Sequence, residues 1–200
     1  SNGVDFDTVP LRKTINNNSS PTLHLIGVAE VHYWHGYDRL IHGLGEYYRQ
    51  YHDKEIYFHI VGGVWKSEMY HSQHAPGFHE LITHYHIKKQ VIFHGQKMGK
   101  ELDELFDLAD FAIGSLARHR SHIDKIKTLK NREYAARGIP FIYSETDEDF
   151  DRMPYILKAP ADESAIDITK IIRPQKWTRH SLKDLVAILI YLQVHLLKGR

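Results

Sequence analysis

Cysteine is absent from the 200 residues. That excludes a disulfide framework and any thiolate metal site, and it fits a reducing compartment. Charge of one sign is also lacking: 26 Lys+Arg against 25 Asp+Glu leave a net +1. A nucleic-acid binder needs a basic surface to displace counterions from phosphates, so no nucleic-acid partner is expected. No apolar run reaches the roughly 18 residues of a membrane-spanning helix. The start of the chain lacks the basic-then-apolar pattern of a signal peptide. Internal repeats and low-complexity tracts are missing too. What is present is a 42% hydrophobic fraction, enough for a core, in the length of one ordinary domain.

Histidine is abundant, with 16 copies and a dense stretch at His71, His74, His79, His84 and His86. His71 and His74 have helical spacing, but His84 and His86 do not share a helix face, and no HExxH motif occurs. These histidines are therefore expected on solvated helix faces, and no metal is required.

Short β-branched runs alternate with longer segments of helical periodicity, which predicts a parallel sheet with crossover helices. Strands are expected at 23–31, 55–61, 91–93, 111–113 and 140–143, with a weaker sixth at 155–157. Helices are expected at 37–51, 68–85 with a break near Pro76-Gly77, 99–108, 126–137 and 177–197. Gly138 stops the fourth of these. Asn16 to Pro21 reads as the loop that ends an N-terminal lead-in over 1–21. The expectation is a single α/β, Rossmann-like, three-layer domain over 1–200, with a parallel sheet of about six strands. Ligands of such sheets bind at the carboxyl ends of the strands, where the exit loops here are rich in glycine.

Several stretches in order resemble a known family. They are Asn2-Gly3-Val4-Asp5, the segment LIGVAEVHYWHGYDRLI over 25–41, Ile60-Val61-Gly62-Gly63, Val91 to Gly95 followed by Ala109-Asp110 and Ser115, and LKNREYAARGIP over 129–140. Together they resemble the C-terminal, donor-binding domain of family 4 glycosyltransferases of the GT-B architecture. That resemblance implies a nucleotide-diphosphate sugar as donor and retaining transfer to a glycan or lipid-linked acceptor. It implies a further N-terminal acceptor domain, absent from these residues, so that the fragment alone is inactive. It implies hexosyl transfer in polysaccharide biosynthesis, no cofactor, and a cytoplasmic location, with peripheral association of the full protein at the inner face of a membrane left open.

Residue by residue, the resemblance places Glu133 on the second glutamate of the family's E-x7-E motif, which accepts hydrogen bonds from the ribose hydroxyls. Leu129 and Lys130 open the same helix. His94 and Gly95 fall at the nucleobase, and Ser115 at the helix N-terminus that approaches the diphosphate. His35, Gly36 and Gly63 fall on the first two exit loops. The customary arginine and lysine of the first loop are replaced by Glu30 and His35, and the first glutamate of E-x7-E by Lys125. The loop after the fourth strand supplies Arg118, Arg120, Lys125, Lys127 and Lys130. That loop is expected to replace the missing cations, with Arg118 or Arg120 as the diphosphate clamp, because a guanidinium matches phosphate oxygens bidentately. The acidic run Asp147 to Asp151 is expected to be a solvated loop. A non-catalytic nucleotide- or sugar-phosphate-binding module, or half of a GT-B epimerase, is the alternative. A receiver domain is disfavoured, since no second acid adjoins Glu30 at the end of the first strand.

Overall fold

A computed structural model describes residues 9–13, 20–70 and 76–172. Strands and helices alternate: β1 (Thr22–Val28), α1 (Tyr37–Gln50), β2 (Glu55–Val61), a short α2 (Lys66–Tyr70), α3 (Phe78–His84), β3 (Val91–Gly95), α4 (Gly99–Leu108), β4 (Phe111–Ile113), α5 (Leu129–Ala136), β5 (Phe141–Tyr143), β6 (Ile156–Lys158) and α6 (Ile168–Ile172). The six strands form one parallel sheet in the order β3-β2-β1-β4-β5-β6. A parallel sheet needs helices on both faces, and the period of two along each strand supplies them with apolar partners.

Leu25 and Ile26 illustrate this, being neighbours in β1 that enter different cores. Leu25, Phe58 and Ile60 pack with Leu40, Ile41 and Leu44 of α1 and with Phe78, Leu81, Ile168 and Ile171. Ile26, Ala112, Phe141 and Tyr143 pack with Phe106 of α4 and with Tyr134 and Ala135 of α5. Leu25, Ile26, Leu40, Phe58 and Phe141 are wholly inaccessible to solvent, each contributing about 1.5–3 kcal/mol by leaving water.

Most predicted elements lie within a few residues of their expected bounds. The first strand stops at Val28 rather than Val31, although Val31 still bridges Val64. The expected helix over 68–85 is two helices, α2 and α3, with 71–75 outside the described residues. Leu129, not Ile126, begins α5, because Thr128 caps it and its Oγ1 accepts from the Asn131 amide at 3.4 Å. Helix α6 was not anticipated. The predicted helix at 177–197, the opening Asn2-Gly3 motif and His71 and His74 lie outside the described residues. Among the described residues, no helix is long and apolar enough to cross a membrane.

Strand order reverses between β1 and β4, so the exit loops of these two strands diverge at their carboxyl ends and leave a crevice, the usual ligand position in this topology. Here the loops are joined above the crevice. The Leu116 amide donates to the His35 carbonyl at 2.9 Å and the Ala117 amide to the Trp34 carbonyl at 3.2 Å. Gly36 caps α1 with φ +64°, and a Cβ there would lie 2.8 Å from the Ala117 Cβ, so the turn and the close approach both require glycine.

Candidate functional site at the strand switch point

Two buried guanidiniums fix the walls of the site. Arg39 donates to the carbonyl oxygens of Leu116, Pro160 (3.1 Å) and Ser164 (2.7 Å), tying α1 to the β4 exit loop and to the segment after β6. Arg120 grips Asp38 with two bonds of 2.9 and 2.7 Å, also binds Glu163, and donates to the Tyr33 carbonyl at 2.9 Å. Its side chain is 2% exposed. The paired carboxylates raise its pKa against the opposing pull of burial, and its partner Glu163 is held down at about 2, chiefly by the bond from Arg120.

Against these walls lies a cluster of polar atoms that are buried and make no hydrogen bond: the Lys130 Nζ, the Arg118 Nε, the Ser115 Oγ, both amide atoms of Asn131, both carboxyl oxygens of Glu145, and the Tyr37 hydroxyl. All belong to the carboxyl end of the sheet. Tyr37 opens α1, Ser115 and Arg118 follow β4, Lys130 and Asn131 lie in the first turn of α5, and Glu145 follows β5. Leaving one such group unsatisfied costs about 1–3 kcal/mol, and more when it is charged. A concentration of them in one place is where ordered water or a polar ligand can be held.

The protonation states follow from the surroundings. Burial pushes the Lys130 ammonium down to about 7, with Glu145 pulling it up and Arg118 pushing it further down. Burial raises the Glu145 carboxyl, while Lys130, Arg118 and Lys158 draw it back. Burial lowers the Arg118 guanidinium, with Glu145 opposing. Burial, Lys130 and Arg118 all depress His35, so its ring is neutral. Its Nδ1 faces the His32 amide at 2.9 Å and must accept that bond, which puts the ring proton on Nε2. The cluster thus brings together the Lys130 amine, the Arg118 guanidinium, a neutral imidazole N–H, a hydroxyl and the first turn of α5, with one carboxyl among them. Such a set of donors suits an anion.

The residues expected at the site are only partly brought together. Lys130, Arg118, Ser115, His35 and Gly36 converge on the switch point. Arg120 does not offer itself as a clamp, because its guanidinium is occupied by Asp38, Glu163 and Tyr33. Lys125 is exposed and paired with Glu148 at 2.5 Å, and Lys127 with Asp149 at 2.8 Å. Of the expected cations, Arg120, Lys125 and Lys127 thus meet carboxylates of the chain itself, while the Lys130 Nζ and the Arg118 Nε make no hydrogen bond. Glu133 lies in the second turn of α5, where its Oε1 accepts from the Arg137 Nε at 3.1 Å and from a second Arg137 nitrogen at 2.9 Å. Leu129 is 48% exposed at the head of α5. Gly63 adjoins Glu30, whose carboxylate is turned toward the β2 exit loop.

His94 and Gly95 end β3, three strands from β4. Gly95 has φ +65° with open space beside it. The His94 Nε2 is 2.9 Å from the His59 Nδ1, and the His59 Nε2 is 3.0 Å from the His24 Nδ1, a ladder of three imidazoles across β3, β2 and β1. The acidic run after β5 is not a solvated loop: Asp147 is fully buried and, with Asp149, holds Arg132.

Glu145, Asn131 and Tyr37 are the pocket residues that sequence reading missed. Glu145 carried a usable signal, being a carboxylate two residues past an apolar strand, at the carboxyl end where ligands of such sheets bind. Among the described residues, no group of three or more His, Asp or Glu side chains is placed to hold a metal ion.

No family model matches the chain, and no curated protein matches its sequence. Solved structures do. HepE from Anabaena, solved with UDP and glucose, superposes with a TM-score of 0.59 at 15% identity over 88% of this chain and 48% of its own. The fold is that of the C-terminal half of a GT-B glycosyltransferase. The C-terminal domain of LpcC, a group 1 family glycosyl transferase from Francisella tularensis, matches at TM-score 0.57 and 15% identity, over 92% of this chain and 88% of that domain. Sucrose-phosphate synthase from Thermosynechococcus elongatus matches at 0.56 and 17%, over 89% and 46%. The chain spans about half the length of HepE and of the synthase. Solved GT-B glycosyltransferases thus share the α/β fold of this chain, as the sequence resemblance implied.

Proposed function

We infer that this chain is the donor-binding half of a retaining glycosyltransferase and that the switch-point pocket holds the diphosphate of a nucleotide sugar. The Lys130 Nζ in the first turn of α5, with the Arg118 Nε and the Ser115 Oγ from the β4 exit loop, carries the inference, because these buried donors make no hydrogen bond within the chain. The structural neighbours support it: HepE was solved with UDP and glucose, and with UDP-glucose.

In this reading Lys130 and Arg118 neutralise the diphosphate, and the His35 Nε2–H and the Ser115 hydroxyl supply neutral donors. As the bond from sugar to phosphate lengthens, negative charge grows on the departing nucleotide. Cations and helix amides already in position stabilise that charge without reorganising. No step in this account requires a metal. Glu133 remains the ribose ligand that the resemblance implies, its Oε2 taking part in neither bond from Arg137. The hexosyl acceptor, a glycan or lipid-linked saccharide, is assigned to the other half of the full-length protein. That protein acts in the cytoplasm or at the inner face of a membrane, and the present chain alone does not turn over.

A thermal-shift series with UDP, GDP and ADP tests the inference. A diphosphate that binds only the native state adds about 2.7 kcal/mol of stability at a hundred times its dissociation constant. The Arg118→Ala variant should weaken that diphosphate about tenfold, or ~1.4 kcal/mol, whereas Lys125→Ala should not. If no nucleoside diphosphate shifts the melting temperature, the pocket assignment is wrong.

A further inference from the structure

Beside the anion pocket the rim carries an aromatic ledge that the reading above leaves unused. Trp65, in the exit loop of β2, is 54% exposed. Its indole N–H donates to the Glu30 Oε1 at 3.2 Å. His32 lies between two indoles, stacked on Trp34 at 4.3 Å and 20° and tilted against Trp65 at 4.8 Å and 43°. Tyr33 supports Trp34 edge-on at 4.9 Å.

The ledge is built, not incidental. The Ala29 amide donates to the Val61 carbonyl at 2.9 Å and the Val31 amide to the Gly63 carbonyl at 2.7 Å, so the two exit loops stay joined beyond their strands. A Cβ on Gly63 would sit 2.5 Å from the Glu30 carboxylate, so glycine there leaves room for that side chain where it lies. The ledge adjoins the pocket through Arg118, whose guanidinium lies 5.6 Å over the Trp34 ring.

The chemistry of the ledge selects an occupant. The negative face of an aromatic ring attracts polarised C–H groups. A carboxylate at the ring edge is acceptor-only and engages adjacent hydroxyls. An apolar partner would bury the Glu30 carboxylate with the Trp65 indole N–H as its one recorded donor, which is costly for a charged group. A pyranose answers both demands, with C–H bonds on its face and hydroxyls on its edge. In a nucleotide sugar that ring is bonded directly to the phosphate nearest it, and Arg118 links the phosphate pocket to the ledge.

We propose that Glu30, Trp65, His32 and Trp34 form the subsite for the glycosyl ring of the donor and decide which sugar is accepted. The proposal rests on the nucleotide-sugar reading, and its test separates the two. UDP, GDP, ADP, panels of their hexose conjugates and free maltose are titrated against the protein and its Trp65→Ala and Glu30→Gln variants, by calorimetry and by the indole N–H resonances. The expected result is one UDP-hexose that binds the native protein at least tenfold tighter than UDP and moves the Trp65 indole signal, while UDP alone does not move it. Both variants should lose that advantage and keep their affinity for UDP. An unchanged ratio in the Trp65→Ala variant, or a still Trp65 signal, overturns the ledge and leaves the pocket standing. Movement of that signal by maltose alone assigns the ledge to another saccharide and overturns the donor assignment. Failure of UDP, GDP, ADP and their hexose conjugates to bind overturns pocket and ledge together.

Discussion

Replacing Lys130 and Glu145 together by methionine should make the ligand-free protein more stable while removing its nucleotide response. Burial lowers the ammonium from 10.5 to about 7 and raises the carboxyl, so each group resists being charged where it sits. Taking charged groups out of water costs several kcal/mol per ion. Their mutual attraction returns part of that, but neither group makes a hydrogen bond. Exchanging a buried ion pair for apolar side chains of similar volume is commonly neutral to stabilising by about 1–4 kcal/mol. The lower half of that range is expected here, about 2 kcal/mol, because Ser115 and Asn131 stay unsatisfied nearby. For a chain of this length that is a rise of roughly 4–8 °C in melting temperature. Differential scanning calorimetry without ligand, repeated with saturating UDP, measures both effects. A double variant that melts lower than the native protein would show that the pair is structural. A double variant that still responds to UDP would show that the anion sits elsewhere.

The Arg120→Ala variant leaves Asp38 buried without its partner and should lose about 3–5 kcal/mol in urea unfolding, with any loss of nucleotide affinity following from unfolding alone. Burial, with His24 and His94 alongside, pushes His59 down to about 4, while Asp110 faces His24 and Lys97 faces His94. The unfolded imidazole takes its proton near 6.5 and the folded one does not until about 4. Stability present above about pH 6.5 should therefore drain away as the pH falls to about 4, by about 3 kcal/mol at most; urea melts should show this slope flattened in a His59→Gln variant. Gly36→Ala combines a positive φ with a Cβ contact at 2.8 Å and should cost about 1–3 kcal/mol, read as a lower urea midpoint.

The layered architecture was legible because its signals are local. Alternating apolar runs placed β1 to β6, and α4 appeared between the residues foreseen for it, since each element carries its own periodicity. The site was legible only as a location. Glycines and strand ends pointed to the rim, and Lys130, Arg118, Ser115 and His35 do meet there. Which charges remain free was not legible, because that depends on partners far along the chain. Arg120 and Lys125 look alike in sequence to Arg118 and Lys130. Asp38 and Glu163, 82 and 43 residues from Arg120, take the first, and Glu148 takes the second. Glu145 and the three-imidazole ladder were hidden for the same reason, since their neighbours come from other strands.

The amide bonds from Leu116 and Ala117 across to the first loop have a consequence for timing. Two walls already stitched to each other have little ordering left to undergo when an anion arrives, so capture on this side should proceed at the speed of diffusion and not of rearrangement. Hydrogen-exchange protection at those two amides should accordingly be high before any ligand is added, and should barely rise afterwards.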